Sequence, residues 1–255
     1  MKLGFLGTGN ITSDVVTGIC RSNLKFNQII VSPRNKNKAQ KLKKKFNKIS
    51  IAKSNQELIN KSDWVFIGVL PRVANQILPN LIFKKNQTVI SFVATLNSSK
   101  LKKKINCKVN LVRAIPMPPI SLGLGPVVMY PPNTKVKNFF NKLGTSIEIK
   151  NEKLSNNFWA ISGTMAAFYE ILKILSDWLV KNKIKREKSQ EYITSLYFAL
   201  AGLALENSKK NLKKFVADSQ TPGGLNWQGV NQLRKAGYYK ALQNSLNSLL
   251  KRLNN

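Results

Sequence analysis

The chain contains no histidine. That absence removes serine–histidine and cysteine–histidine nucleophilic pairs, histidine-ligated metals and imidazole acid–base chemistry together. Cysteine is nearly absent too: Cys20 and Cys107 stand far apart in unrelated segments, so neither a disulfide framework nor a metal cluster is expected. Acidic residues are scarce, 11 against 42 lysines and arginines, for a formal charge of +31. Chemistry in this chain must run on a cofactor, a carboxylate, a lysine or oriented backbone groups.

Long apolar runs are also missing. The longest weakly polar stretch, residues 192–205, is shorter than the roughly 20 residues that cross a bilayer. Met1 leads directly into an apolar strand, so no secretory leader is expected. These features predict a soluble cytoplasmic protein with no membrane partner, and 255 residues suffice for one large or two small domains. The basic charge raises nucleic acid as a partner. Yet lysines are spread over the whole chain without interleaved aromatic stacking platforms, so nucleic acid is not the expected ligand. The charge instead favours small anions at low ionic strength.

What the sequence does have is an opening in which Leu3, Phe5 and Leu6 stop at Gly7-Thr8-Gly9 and helical apolar spacing begins at Ile11, Val15, Val16 and Ile19. A strand, a glycine turn and a helix N-terminus aim backbone N–H groups and the helix dipole at a pyrophosphate. Gly9 removes the side chain that would block its approach, while Thr12 stands where the third glycine of G-x-G-x-x-G falls. A glycine turn without a ligand is the alternative reading.

Short strands then alternate with helices: strands at residues 28–31, 49–52, 64–69, 88–92 and 110–114, and helices at 54–60, 73–78 and 98–105. The natural solution is a parallel, doubly wound α/β sheet whose ligands sit at the strands' carboxyl ends, near Gly7, Ser32, Val69, Ala94 and Arg113. After the second strand no acid is available to select NAD; Ser32 and Arg34 are followed by Lys36 and Lys38, which favours the 2′-phosphate of NADPH, with NADH possible. Most lysines of residues 36–48 also suit a solvated helix face.

A strand at 127–130, a helix at 135–143 and a strand at 145–149 close the sheet, and residues 1–150 form the expected dinucleotide-binding domain. Beyond it, residues 151–255 read as helical, with helices at 154–179, 187–204, 212–218 and 227–253. Trp159, Phe168 and Trp178 are expected in a core or an interface. Between the last two helices lies Gln220-Thr221-Pro222-Gly223-Gly224-Leu225-Asn226, read as a threonine N-cap, a first-turn proline and free N–H groups able to hold a carboxylate, or as a plain turn.

Together these pieces resemble the pyrroline-5-carboxylate reductases, which reduce a cyclic imine to proline with NAD(P)H. Gly7-Thr8-Gly9-Asn10-Ile11 is similar to that family's G-x-G-N-M opening, Val112-Arg113-Ala114-Ile115-Pro116 to its R-x-M-P stretch, and Ser162-Gly163-Thr164 to the start of its S-G-S-G-P-A-Y helix. Thr221-Pro222-Gly223-Gly224 is similar to its S-P-G-G-T-T loop, the most diagnostic piece. Leu70 stands where the family has lysine, Met165-Ala166 replaces Gly-Pro, and Leu225-Asn226 replaces paired threonines.

The resemblance implies a Rossmann-type domain followed by an all-α dimerisation domain, and a homodimer or higher homo-oligomer. It implies that Gly7, Gly9, Asn10 and Ile11 hold the pyrophosphate, that Ser32 and Arg34 meet the adenosine end, and that Val69, Leu70 and Ala94 line the nicotinamide side. Thr221, Gly223 and Gly224 would bind the carboxylate of a small anionic imino acid, with Thr221 and Asn226 in the catalytic positions and Asn226 near the ring nitrogen. Arg113 would either orient the proline-rich loop or form a structural ion pair. The alternatives are a reductase of another imino or keto acid, and a non-catalytic nucleotide-binding paralogue.

Overall fold

The computed structural model describes residues 1–254, and the chain divides into two compact units, Met1–Ser155 and Asn156–Asn255. In the first unit the strands are Lys2–Leu6 (β1), Gln28–Val31 (β2), Ile49–Ile51 (β3), Trp64–Ile67 (β4), Thr88–Ser91 (β5), Asn110–Ile115 (β6), Pro126–Tyr130 (β7) and Thr145–Glu148 (β8). They form an 8-stranded sheet in the order β3-β2-β1-β4-β5-β6-β7-β8. The order reverses between β1 and β4, which creates the crevice where doubly wound sheets bind ligands.

Both faces of the sheet are covered, and strand alternation assigns the side chains. Leu3, Phe5, Phe66, Ile90 and Val112 enter one apolar layer. Leu6, Val65, Ile67, Val89 and Leu111 enter the other. Phe5 and Phe66 stack across the β1–β4 pair with centroids 4.4 Å apart and planes 7° from parallel. Each such ring removed from water contributes about 1.5–3 kcal/mol.

The helices of this unit are Asn10–Arg21 (α1), Lys36–Lys45 (α2), Asn55–Lys61 (α3), Pro71–Ile77 (α4), Ser98–Ile105 (α5) and Thr134–Phe140 (α6). Asparagine starts several of them. The side chains of Asn35, Asn97 and Asn133 accept the N–H groups of Lys38, Lys100 and Val136, and each such cap is worth about 1 kcal/mol. Lysines occupy the last turns of α2 and α5, where the helix dipole is negative.

One pair departs from the expected parallel sheet: β6 and β7 run antiparallel. The link over residues 116–125 contains only a 3₁₀ turn, Pro118–Leu122. A parallel crossover takes about a dozen residues or more, usually with a helix, so the chain reverses instead.

From the boundary residue Ser155 onward the helices are Ser155–Ser162 (α7), Met165–Lys181 (α8), Arg186–Glu206 (α9), Leu212–Asp218 (α10), Leu225–Lys235 (α11) and Tyr238–Asn254 (α12). The helix expected over 154–179 is interrupted at Gly163-Thr164, where the Thr164 hydroxyl turns back to the Ile161 carbonyl at 2.6 Å. The helix expected over 227–253 begins earlier, at Leu225, and breaks at Gly237, whose φ of +77° is left-handed. Trp178 is 63% exposed and Phe168 is exposed, so neither is a core residue of the single chain.

The apolar run expected to be longest is also corrected. Within Glu152–Lys181, which is broken at Gly163-Thr164, a stretch is long and apolar enough by length and composition alone to cross a membrane, and almost none of it is buried.

Two expectations follow from this packing. A Cβ on Gly68 would meet Thr12 Oγ1 at 2.2 Å but Phe92 only at 3.5 Å. Gly68→Ala should therefore cost about 1–3 kcal/mol in urea denaturation, and almost nothing in a Thr12→Gly background; equal costs in both backgrounds would disprove the coupling. Glu148 accepts a bond from Lys137 at 2.9 Å, which holds its carboxyl below the ordinary range despite partial burial, with help from the Asn133 N–H. A depressed carboxyl stabilises fully above its unfolded value of about 4.3 and loses that contribution as pH falls through the lower folded value. Glu148→Gln should lower the urea midpoint at pH 7, and the deficit should vanish in strong acid; a pH-independent deficit would contradict this account.

Candidate active site

The carboxyl ends of β1, β2, β4 and β5 open into a cleft of about 970 Å³ in the first unit. Its floor is the turn after β1. Gly7 adopts φ +95°, a conformation that favours glycine, and a Cβ there would sit 2.6 Å from the Gly68 carbonyl oxygen. The Gly7 N–H donates to Ser32 Oγ at 3.0 Å, and the Gly68 N–H donates to the Leu6 carbonyl at 2.8 Å. Three strand ends are thereby locked around one turn.

Gly9 is the N-cap of α1, and a Cβ built on it finds only the Gly68 oxygen, at 3.9 Å. A side chain there would meet no neighbour and would fill the cleft. The first i→i−4 bond of α1 runs from the Ser13 N–H to Gly9, so the N–H groups of Asn10, Ile11 and Thr12 precede the helix ladder. No acidic residue occupies that first turn. This is an anion cradle, and its open space at Gly9 fits a dinucleotide pyrophosphate.

Around the cradle the cleft gathers Arg34 and Lys36 after β2, Val69 and Leu70 after β4, and Ala94 after β5. Among the described residues that line it there is no carboxylate. Ser32 lies beneath the turn: it is buried, and its hydroxyl is spent on Gly7. Leu70 is 67% exposed and is the N-cap of α4, with Pro71 in the first helical turn, so the Leu70-Pro71 step opens a helix.

Two further features were not read from the sequence. Arg72, in the first turn of α4, adds a cation to the cleft; the proline before it marked a helix start and so an inward-facing turn. Lys38 Nζ donates to Asn10 Oδ1, joining the lysine-rich helix to the cradle. The nearby Asp14 lines a separate groove with Lys38; burial pushes its carboxyl pKa up, and Lys38 pulls it back down.

Arg113 makes the ion pair, with Nη1 2.6 Å from Glu152 Oε1, and its Nη2 donates to the Ala94 carbonyl at 2.6 Å. Its bonds go to these groups and not to the proline-rich loop.

In the second unit Thr221, Gly223, Gly224 and Asn226 come together at the start of α11, on that unit's surface. Thr221 is not the N-cap and Pro222 is not in the first helical turn. The Gly224 N–H donates to the Thr221 carbonyl at 2.8 Å with Gly223 at φ +75°, which is a type II turn built around Pro-Gly. Gly224 is the N-cap, so the N–H groups that precede the helix ladder are those of Leu225, Asn226 and Trp227.

Solved structures share this architecture. The NADP-bound pyrroline carboxylate reductase of Plasmodium falciparum superposes with a TM-score of 0.80 at 25% identity, covering 99% of this chain and 97% of that one. A pyrroline-5-carboxylate reductase of Coxiella burnetii gives 0.86 at 20% identity over 99% of this chain and 97% of its own, a likeness of fold. Pyrroline-5-carboxylate reductase 3 of Danio rerio is 25% identical over 252 residues, 94% of this chain and 86% of that protein.

In class the chain is an NAD(P)-dependent oxidoreductase of the doubly wound type. Residues 2–95 match the family model described as NADP oxidoreductase, coenzyme F420-dependent, and residues 152–255 the one described as pyrroline-5-carboxylate reductase dimerisation. The C-terminal domain is thus of the pyrroline-5-carboxylate reductase dimerisation type, and nearly the whole chain is similar to pyrroline-5-carboxylate reductases.

The cradle makes a separable prediction. Gly9→Ala meets open space, so thermal unfolding should stay within about 2 °C of the parent, while NADPH affinity measured by fluorescence falls at least about tenfold. Unchanged affinity would remove the pyrophosphate from this turn.

Proposed function

We propose that the protein reduces 1-pyrroline-5-carboxylate to L-proline with NADPH. The observation that carries this reading is a glycine cradle flanked by an arginine-bearing, acid-free strand end, in a chain similar along nearly its whole length to reductases of that name. NADPH supplies the hydride when bound. The substrate's C=N carbon receives that hydride, and the protonated imine nitrogen becomes the secondary amine of proline. A protonated imine already carries the activating charge, so this chain needs chiefly to orient two ligands and exclude water. Such a role requires no histidine.

In this reading residues 1–150 bind the dinucleotide and residues 151–255 supply the dimer and substrate surfaces. Gly7, Gly9, Asn10 and Ile11 hold pyrophosphate, and Ser32 supports the turn from below. Arg34 meets the 2′-phosphate. Val69, Leu70 and Ala94 line the nicotinamide side. Thr221, Gly223 and Gly224 take the substrate carboxylate, and the Asn226 amide reaches the ring nitrogen. The apolar faces of α7 and α8 pair with a second copy and not with lipid, and the enzyme works as a cytoplasmic homodimer.

A second reading is reduction of a different cyclic imine. It is favoured by the exposed Leu70 on the cleft and by Leu225, 87% exposed beside Asn226, where the family has lysine and threonine. NADPH oxidation across pyrroline-5-carboxylate, pyrroline-2-carboxylate and piperideine carboxylates separates the two. Fastest turnover of the first compound supports proline formation, and fastest turnover of another supports the second reading. Arg34→Ala should cost about tenfold in NADPH affinity and leave NADH affinity nearly unchanged. Equal binding of both cofactors by the parent would contradict the role of Arg34.

A further inference from the structure

Arg113 and Glu152 form the most buried ion pair in the first unit, with the arginine only 4% exposed. A buried pair of this kind contributes little net stability, because desolvation offsets most of the attraction. What distinguishes it is what it aims. Glu152 Oε1 accepts three bonds: from Arg113 Nη1 at 2.6 Å, from the Ser98 N–H at 2.8 Å and from Ser98 Oγ at 2.9 Å. So held, the guanidinium points Nη2 at the Ala94 carbonyl, 2.6 Å away. The peptide joining Ala94 to Thr95 is planar, so its N–H is turned opposite to the carbonyl that Arg113 holds. Ala94 and Thr95 both line the cleft, and Thr95 is exposed.

We propose that Glu152 and Arg113 are positioning residues that fix the Ala94–Thr95 peptide so that its N–H serves as a donor on the nicotinamide side of the cleft. The inference rests on the cofactor reading above and adds the groups that hold one end of the cofactor. Adenosine belongs at the Arg34 end of the cleft and the nicotinamide at the opposite end, over β4 and β5. Loss of the pair should therefore weaken only ligands that carry a nicotinamide.

The test is calorimetric binding of NADPH and of 2′-phospho-ADP-ribose, which lacks the nicotinamide, to the full chain and to Glu152→Gln. The expected result is NADPH weakened about tenfold, the upper scale of one neutral hydrogen bond, with the fragment unchanged within about twofold. Parallel weakening of both ligands, or no change in either, overturns the inference. Should Glu152→Gln not fold, Ser98→Ala removes one bond to Glu152 while keeping both charges. It should weaken NADPH about two- to threefold and leave the fragment unchanged, and parallel or absent effects again refute the assignment. A parent protein that binds neither ligand would refute the cofactor reading itself and this inference with it, whereas a parent that binds both isolates the outcome to Glu152.

Discussion

The close approach of two backbone segments at Gly7 and Gly68 is the constraint on which the nucleotide half of the molecule depends. A side chain on Gly7 would strike the Gly68 carbonyl and Val69, and one on Gly68 would strike Thr12. Because both positions are bare, β1 turns into α1 directly over the end of β4, and the Ser32 hydroxyl can reach the Gly7 N–H from β2. Thr12, in place of the usual third glycine, is accommodated because the missing volume has moved to residue 68. The cradle's shape is thus a matter of excluded atoms more than of attractive contacts.

The shortage of acids shapes the rest of the first unit. Asparagine takes over helix capping at α2, α5 and α6, where aspartate would serve equally. Three of the unit's few carboxylates are held in ion pairs: Glu57 with Lys61, Glu148 with Lys137, Glu152 with Arg113. The cleft is left without an acid and with Arg34, Lys36 and Arg72 on its walls, an environment that attracts a phosphorylated dinucleotide.

The fold was largely legible because strand runs such as Trp64–Ile67 and the helical spacing from Ile11 onward express buried faces directly. Misreadings arose where local signals compete. Thr221-Pro222 has the composition of a helix start, yet Pro-Gly at the centre of a type II turn satisfies the same residues, and the helix begins after it. The breaks at Gly163-Thr164 and Gly237 fall inside otherwise continuous apolar periods, which periodicity alone carries straight through. The reversal of β7 followed from the shortness of its link, a matter of geometry invisible in any strand's own composition.

The amino-acid sequence by itself determined the α/β order, the glycine cradle, the absence of an acid after β2 and the exclusion of histidine chemistry, because each is a property of composition or of residues near one another along the chain. Only the tertiary structure decided that Ser32 works beneath the turn, that Arg72 joins the cleft, and that Arg113 turns to Glu152 and Ala94 and not to the loop that follows it. Glu152 lies 39 positions from Arg113. Partners at such separations are chosen by the packing of the sheet, since burial compels each charged group to find whichever opposite group the fold has placed within reach.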